Sequence, residues 1–174
     1  MIRRASTVLA VTIGVGLILA TAQGPSEYQL KAALIYNFAK FVEWPSTGGA
    51  DEQIVIGILG DDPFRQDFEA VTNGKTANGK RVILKRFPNL KSLTPCHILF
   101  IGNDQKPILG KVLIAAGSNV LTVGEMDRFA EDGGMIHMKL IGGKVRFVIN
   151  NAAAERAGIR ISAKLLSIAR VIRN

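Results

Sequence analysis

The sequence predicts an α/β domain: a three-layer sandwich with a Rossmann-like, mostly parallel sheet and a C-terminal antiparallel hairpin. Strand-like apolar runs alternate with helical periodicity up to about residue 125, which is typical of a doubly wound sheet. The runs at 54–59 and 98–101 are almost wholly apolar, as in parallel strands covered on both faces. Two later strand-like runs flank Gly142 and Gly143, a strong hairpin signal.

The first predicted helix follows Ser26, a good N-cap residue, and ends before Trp44 and Pro45. Apolar residues recur along it at the spacing of one helix face, and we expect that face to join the core. These residues are Leu30, Ala33, Leu34, Phe38, Phe41 and Val42.

A strand at 54–59 comes next, and the turn after it predicts a short helix to about Val71, with Pro63 at the first helical position. The run 81–87 alternates more, so it predicts a strand nearer a sheet edge. The connection from Phe87 to Cys96 is shorter than the roughly ten to twelve residues of a usual crossover, which leaves strand order open.

The second half continues with a strand at 96–101, a helix at 107–116 and a strand at 120–123. The residues expected to face inward from that helix are Ile108 and Val112, with Ala115 as a third candidate. The hairpin strands are 135–140 and 144–149, and a helical turn at 151–157 follows. Ser162 caps a predicted last helix, whose apolar contacts come from Leu165, Leu166, Ala169 and Val171.

The N-terminus predicts export from the cytoplasm. Arg3 and Arg4 precede an apolar run at 8–20 that closes on small residues, the order of a cleavable signal peptide. We expect cleavage after Ala22, so that residues 1–22 are removed and 23–174 form a single periplasmic domain. An uncleaved membrane anchor is the alternative, although the run is shorter than the roughly 18 to 20 residues of a membrane span.

Charge and cysteine content narrow the partners. The net charge is +8, but the basic residues are scattered and form no block, so nucleic acid is not an expected partner of an exported domain. Cys96 is the only cysteine, which excludes an intrachain disulfide. We interpret Cys96 as a buried small apolar residue, with a reactive thiol as the alternative.

The motifs of common enzymes and cofactor sites are missing. Gly57 and Gly60 do not complete a dinucleotide-binding G-x-G-x-x-G pattern, and Gly74 to Thr76 lack the rest of a P-loop. Cys96, His97 and His137 have no recognisable zinc spacing, and no G-x-S-x-G elbow occurs. We therefore predict no enzyme, no cofactor and no metal site.

Sheet geometry still suggests one place for a ligand. In open α/β sheets the binding crevice lies beyond the carboxyl ends of the strands. The residues expected there are Gly60, Asp61, Asp62, Gly102, Asn103, Gly124 and Glu125. They are candidates for a small-ligand site, and the alternative is that they only build tight turns.

Six separated blocks of the sequence resemble the YfiR family of bacterial periplasmic proteins, in order and over nearly the whole predicted domain. The blocks are EYQLKAALIYNFAKFVEWP at 27–45, IGILGDDPF at 56–64, CHILFIG at 96–102, VLTVGE at 120–125, GGMI at 133–136, and GKVRFVIN at 143–150 with ISAKLL at 161–166.

The resemblance implies a non-enzymatic regulator. Proteins of this kind bind the periplasmic sensory domain of an inner-membrane diguanylate cyclase and hold it inactive, which lowers cyclic di-GMP and biofilm formation. The resemblance also implies a possible homodimer, whereas disulfide-based redox sensing does not transfer to a chain with one cysteine. The expected partner surface is C-terminal and includes Arg146, Asn150, Glu155, Arg160 and Lys164.

A second hypothesis is a periplasmic domain that senses a small molecule at the strand-end crevice and signals to another membrane receptor, such as a histidine kinase. It depends on the crevice residues rather than on the C-terminal surface.

Overall fold

The computed structural model describes residues 24–45 and 53–173, so the predicted signal peptide at 1–22 lies outside the described residues. The helices are α1 (Glu27–Phe41), α2 (Asp67–Thr72), α3 (Leu109–Ala116), α4 (Asn151–Arg156) and α5 (Ala163–Ser167), with 3₁₀ helices at Leu90–Ser92 and Asn103–Ile108. The strands are β1 (Val42–Glu43), β2 (Gln53–Leu59), β3 (Thr76–Ala77), β4 (Lys80–Phe87), β5 (Ile98–Ile101), β6 (Leu121–Gly124), β7 (Ile136–Ile141), β8 (Lys144–Asn150), β9 (Arg160–Ile161) and β10 (Arg170–Ile172).

One eight-stranded sheet organises the domain, in the order β10-β8-β7-β6-β5-β2-β4-β3. Its central pairs are parallel, while β7–β8 and β3–β4 are antiparallel. β1 and β9 form a separate antiparallel pair that ties the end of α1 to the C-terminal region. The predicted mostly parallel sheet with its C-terminal hairpin is therefore confirmed.

Side chains alternate across the sheet and build two cores, one on each face. In β5, Ile98 and Phe100 join the core beneath α1 and α2, whereas Leu99 and Ile101 join the core beneath α3. All four are fully buried. A strand with both faces covered in this way gives the three-layer arrangement that its apolar run predicts.

Helix α1 begins with a capping box, as Ser26 predicts. Its hydroxyl accepts a hydrogen bond from the Gln29 amide at 3.1 Å, and the Ser26 amide donates to Gln29 Oε1 at 3.0 Å. The predicted inward face is partly wrong, because Leu30 is exposed and the buried residues are Lys31, Ala32, Ile35, Tyr36, Phe38 and Ala39. The buried face of the helix therefore includes a lysine and does not coincide with the predicted apolar stripe.

Two helix predictions need correction. Helix α2 begins at Asp67 rather than at Pro63, because the Asp62 carboxylate accepts from the Phe64 and Arg65 amides and holds residues 63–66 in turns. In α3, Val112 is buried as predicted, but Leu109 is its buried neighbour, and Ile108 and Ala115 are exposed.

The open strand order is resolved by a compact parallel crossover. β4 and β5 lie on opposite sides of β2 and both run parallel to it, so the chain from 88 to 97 crosses β2 through a single 3₁₀ turn. The position of β4 next to the short edge strand β3 confirms the edge prediction.

The predicted last helix is too long. Ser162 caps it as expected, accepting from the Leu165 amide at 3.3 Å, but the helix ends at Ser167. Residues Arg170–Ile172 instead form β10, which pairs in parallel with the outer edge of β8.

Within the described ranges, no helix combines the length and the apolar character needed to cross a lipid bilayer.

Candidate functional site

Three predicted crevice residues meet where β2 and β5 end, and Asp104 joins them. The Asp61 amide donates a hydrogen bond to Asp104 Oδ1 at 2.9 Å. A Cβ atom on Gly102 would lie 2.6 Å from the same carboxylate oxygen and 2.7 Å from the Asp61 carbonyl. Gly60 has a φ of +79° and is also crowded by Asp104. The ends of β2 and β5 are therefore packed closely together. The Asp104 carboxylate accepts a hydrogen bond from the Asp61 amide, which could otherwise bind a ligand anion.

Asp62 takes part in a different cluster, centred on Arg86 of β4. Its Oδ2 accepts from Arg86 Nε at 2.7 Å, and the same guanidinium donates to Glu69 and to the Arg65 carbonyl. The hydrogen bond from Arg86 lowers the pKa of Glu69, and the bond to Glu69 raises the pKa of Arg86, although burial opposes each shift. The structure thus assigns Asp62 to a salt-bridge cluster that fixes the start of α2.

Glu125, after β6, meets Asn103 and two residues of α1 that the sequence reasoning missed. Its carboxylate accepts from Lys31 Nζ at 2.5 Å, from the Tyr28 hydroxyl at 3.4 Å and from Asn103 Nδ2 at 3.5 Å. Lys31 is only 3% exposed and also forms an ion pair with Glu27. The side chains of α1 therefore extend over this part of the strand-end edge.

The ionisation of this cluster follows from its pairing. Burial opposes the charge on Lys31, but hydrogen bonds to Glu125 and Glu27 outweigh it, so the pKa of Lys31 is raised. Burial, then the negative charge of Glu125, raises the pKa of Tyr28. At neutral pH the cluster holds an ammonium between two carboxylates beside a neutral phenol. The charged groups of this cluster are therefore paired with one another inside the fold.

A signal for the missed residues was present in the sequence. Glu27 and Lys31 are spaced i and i+4, a pairing spacing on helices. Lys31 also precedes Ala32 and Ile35, both fully buried. Its pairing with Glu125, 94 residues later, could not be read from spacing.

The predicted ligand crevice is thus divided. Asn103 and Glu125 lie together, Gly60, Asp61 and Gly102 lie together, Gly124 packs against Phe129, and Asp62 belongs to the Arg86 cluster. Ligand binding at this edge stays a prediction.

Most of the predicted partner residues lie on the surface. Arg146, Glu155, Arg160 and Lys164 are exposed. Asn150 is not: its side chain is fully buried, donates to the Ala130 carbonyl at 2.9 Å and accepts from the Ala153 amide to cap α4. Asn150 therefore needs correction as a contact residue, since its polar atoms are used inside the fold.

Cys96 is half-buried, and burial raises the pKa of its thiol to about 12. A thiol with this pKa stays protonated near neutral pH, which favours its interpretation as a small apolar residue over a reactive nucleophile. Among residues 24–45 and 53–173, no three His, Cys, Asp or Glu side chains come together as metal ligands.

These contacts define an α/β domain of the doubly wound type whose strand-end polar groups bind largely to one another. The chain belongs to the YfiR/HmsC-like family, whose sequence profile matches residues 28–170. This is a family of periplasmic regulatory proteins. No curated protein was found to match the sequence.

Proposed function

We propose that this protein is a periplasmic regulator that binds the periplasmic sensory domain of an inner-membrane diguanylate cyclase and inhibits it, thereby lowering cyclic di-GMP and biofilm formation. Membership of the YfiR/HmsC-like family carries the proposal. The signal-peptide pattern at residues 1–22 supports the location, because an exported protein reaches a cytoplasmic cyclase only through a partner that crosses the membrane.

Such a regulator needs no catalytic residue. It must bind the inactive state of its partner more tightly than the active state, and about 3 kcal/mol of difference shifts a two-state equilibrium more than a hundredfold. A well-packed protein interface can supply that difference from a few apolar and polar side chains.

The C-terminal surface is the best candidate for this interface. It consists of Arg146, Glu155, Arg160, Lys164, Ile168 and Val171. Ile168 is 67% exposed and Val171 is 41% exposed, so this surface offers two large apolar side chains for contact. Because β10 packs against β8, α4 and α5, these residues belong to neighbouring elements.

The sheet edge at this surface is also open. β10 pairs with β8 only over Val148 to Asn150. Within the described part of the chain, no strand covers the outer edge of β8 at residues 144–147. Free edge amides and carbonyls can pair with a strand from another protein, and Arg146 and Lys144 on this edge limit non-specific pairing.

The genetic test uses the cyclase as its control. Deleting the gene should raise cyclic di-GMP in cells that carry a neighbouring membrane-bound diguanylate cyclase, and the rise should vanish when that cyclase is also deleted. Unchanged cyclic di-GMP in the single deletion would contradict the proposal.

The binding test compares two exposed isoleucines on opposite faces of the sheet. Ile168→Asp should weaken binding to the purified periplasmic domain of that cyclase by at least about tenfold, because it places a charge in an apolar contact. Ile114→Asp is the matched control, since Ile114 is 82% exposed on α3, on the other face of the sheet. Equal affinities of the two variants would exclude the C-terminal surface as the interface.

A further inference from the structure

A cavity of about 860 Å³ lies at the opposite edge of the sheet, where the parallel strands begin. Its floor includes Val55 at the start of β2, and Cys96 and His97 just before β5. Trp44, after β1, forms one wall, and Ala116 at the end of α3 lies on the other. This volume falls in the range of small-molecule binding sites in proteins.

The walls offer an apolar and aromatic surface. The Trp44 ring meets the His97 ring edge to face, with centroids 5.6 Å apart. His97 is held in place because its Nδ1 accepts a hydrogen bond from the Val55 amide at 3.1 Å. Cys96, whose thiol stays protonated, adds a neutral surface beside them. A flat apolar molecule can therefore contact a wall that is already fixed before binding.

Among the described residues, the cavity lining holds one acidic and one basic side chain with different pairing. Glu43 and Lys80 both line the cavity. The Glu43 carboxylate is paired with Arg160 at 3.8 Å. Lys80 forms no ion pair with any described residue, so its ammonium can attract a negative group at the cavity rim.

We propose that this cavity binds a small aromatic molecule that carries one negative charge, with its rings against Trp44 and its anionic group near Lys80. The site is distinct from the strand-end crevice and does not depend on the proposed regulation of a cyclase.

The test uses the full chain and 8-anilinonaphthalene-1-sulfonate, an aromatic anion that becomes fluorescent in apolar surroundings. Trp44 is the only tryptophan of the chain, so its emission reports from the cavity wall. Titration should quench Trp44 emission to saturation and give one binding site. N-phenyl-1-naphthylamine has the same rings without the sulfonate and serves as the neutral probe.

Lys80→Met should weaken binding of the anionic probe about fivefold and leave binding of the neutral probe unchanged. Lys111→Met is the matched control, because Lys111 is an exposed lysine of α3 outside the cavity lining, and it should change neither affinity. Ala116→Phe, which narrows the cavity, should weaken binding of both probes. Circular dichroism of each variant checks that the fold is kept.

Two outcomes would overturn the proposal. One is the absence of saturable Trp44 quenching by either probe. The other is saturable binding of the anionic probe that Lys80→Met and Lys111→Met affect equally, because Lys80 would then have no part in recognising the charge.

Discussion

The parallel strands of the central sheet end at one edge, the carboxyl edge, and begin at the opposite edge, the amino edge. The polar groups at these two edges are used differently. At the carboxyl edge, where α/β proteins usually bind ligands, Lys31 and Tyr28 of α1 meet Glu125, and Asp104 accepts from the Asp61 amide. At the amino edge, a cavity remains between Trp44 and the end of α3. At the carboxyl edge, several polar groups that could bind a ligand are thus bonded to side chains of the same chain.

We expect the carboxyl edge to contribute mainly to folding stability and the amino edge mainly to ligand binding. A buried ammonium held by two carboxylates is a costly arrangement that tolerates little change around it. The ion pair at the amino edge, between Glu43 and Arg160, is exposed. Substitutions at this edge should therefore alter ligand binding more than folding stability. The following predictions test that contrast.

The largest effect is expected from Glu125→Gln, which removes the charge that pairs with Lys31. Lys31 would keep only Glu27, and the free energy of unfolding should fall by about 3 kcal/mol, because breaking one partner of a buried pair leaves its charge poorly compensated. Urea denaturation at neutral pH measures the change.

The matched control is Glu43→Gln at the amino edge. Glu43 and Arg160 are 3.8 Å apart, and both side chains are largely exposed. Loss of such a surface pair should cost less than about 1 kcal/mol. If the two variants lose equal stability, the buried cluster has no special role at the carboxyl edge.

A smaller effect is expected from Gly102→Ala. Its Cβ would approach Asp104 Oδ1 at 2.6 Å and the Asp61 amide nitrogen at 2.8 Å, so the closed strand ends would have to separate. We expect a loss of about 2 kcal/mol in unfolding free energy, typical of overpacking. Thermal unfolding followed by circular dichroism gives the comparison.

Gly110→Ala provides the control for Gly102. It lies in α3, and a Cβ there would meet no atom within 4 Å. Alanine should stabilise that helix by about 0.5–1 kcal/mol. Two substitutions of the same kind should thus shift the melting temperature in opposite directions, and a gain in stability from Gly102→Ala would show that the strand ends are not tightly closed.

The smallest effect concerns pH and His137, which lies beside Gly124 at the carboxyl edge. His137 is 1% exposed, and burial lowers the pKa of its imidazole, with the charge of Lys139 acting in the same direction. Its Nδ1 is buried, and no described residue forms a hydrogen bond with it. The folded protein therefore favours neutral His137.

The direction in which stability changes with pH follows from where the proton binds more readily. Below its ordinary pKa of about 6.5, His137 takes up a proton more readily in the unfolded chain, so stability should fall as pH drops from 7 toward 5. His137→Gln should lose less stability than the parent chain over this range. Equal pH dependence in parallel urea titrations would remove His137 as the cause.

Much of the fold could be predicted because its signals are local. The all-apolar run of β5, the Gly142–Gly143 turn and the caps at Ser26 and Ser162 each depend on neighbouring residues, and the structure contains all of them. β10 could not be predicted, because residues 170–172 become a strand only by pairing with β8.

The positions of individual site residues could not be predicted where they depend on contacts distant in sequence, whereas ligand binding and partner binding stay predictions. Asp62 and Glu125 were expected in one crevice, but Arg86 draws the first into the salt bridges of β4 and α2, and Lys31 holds the second against α1. Asn150 was expected at the surface as a polar residue, yet the Ala130 carbonyl and the α4 amides use its polar atoms internally. The type of a polar residue does not by itself show which group in the fold will pair with its side chain.

The sequence by itself determined the fold class, since periodicity, turn residues and composition act over short distances, whereas export directed by its N-terminus stays a prediction. Its resemblance to the YfiR family agrees with the family match. The tertiary structure decided how the two sheet edges are used. Ion pairs such as Lys31–Glu125 and the space beneath Trp44 exist only after distant segments pack, because burial makes pairing favourable and packing determines where volume is left.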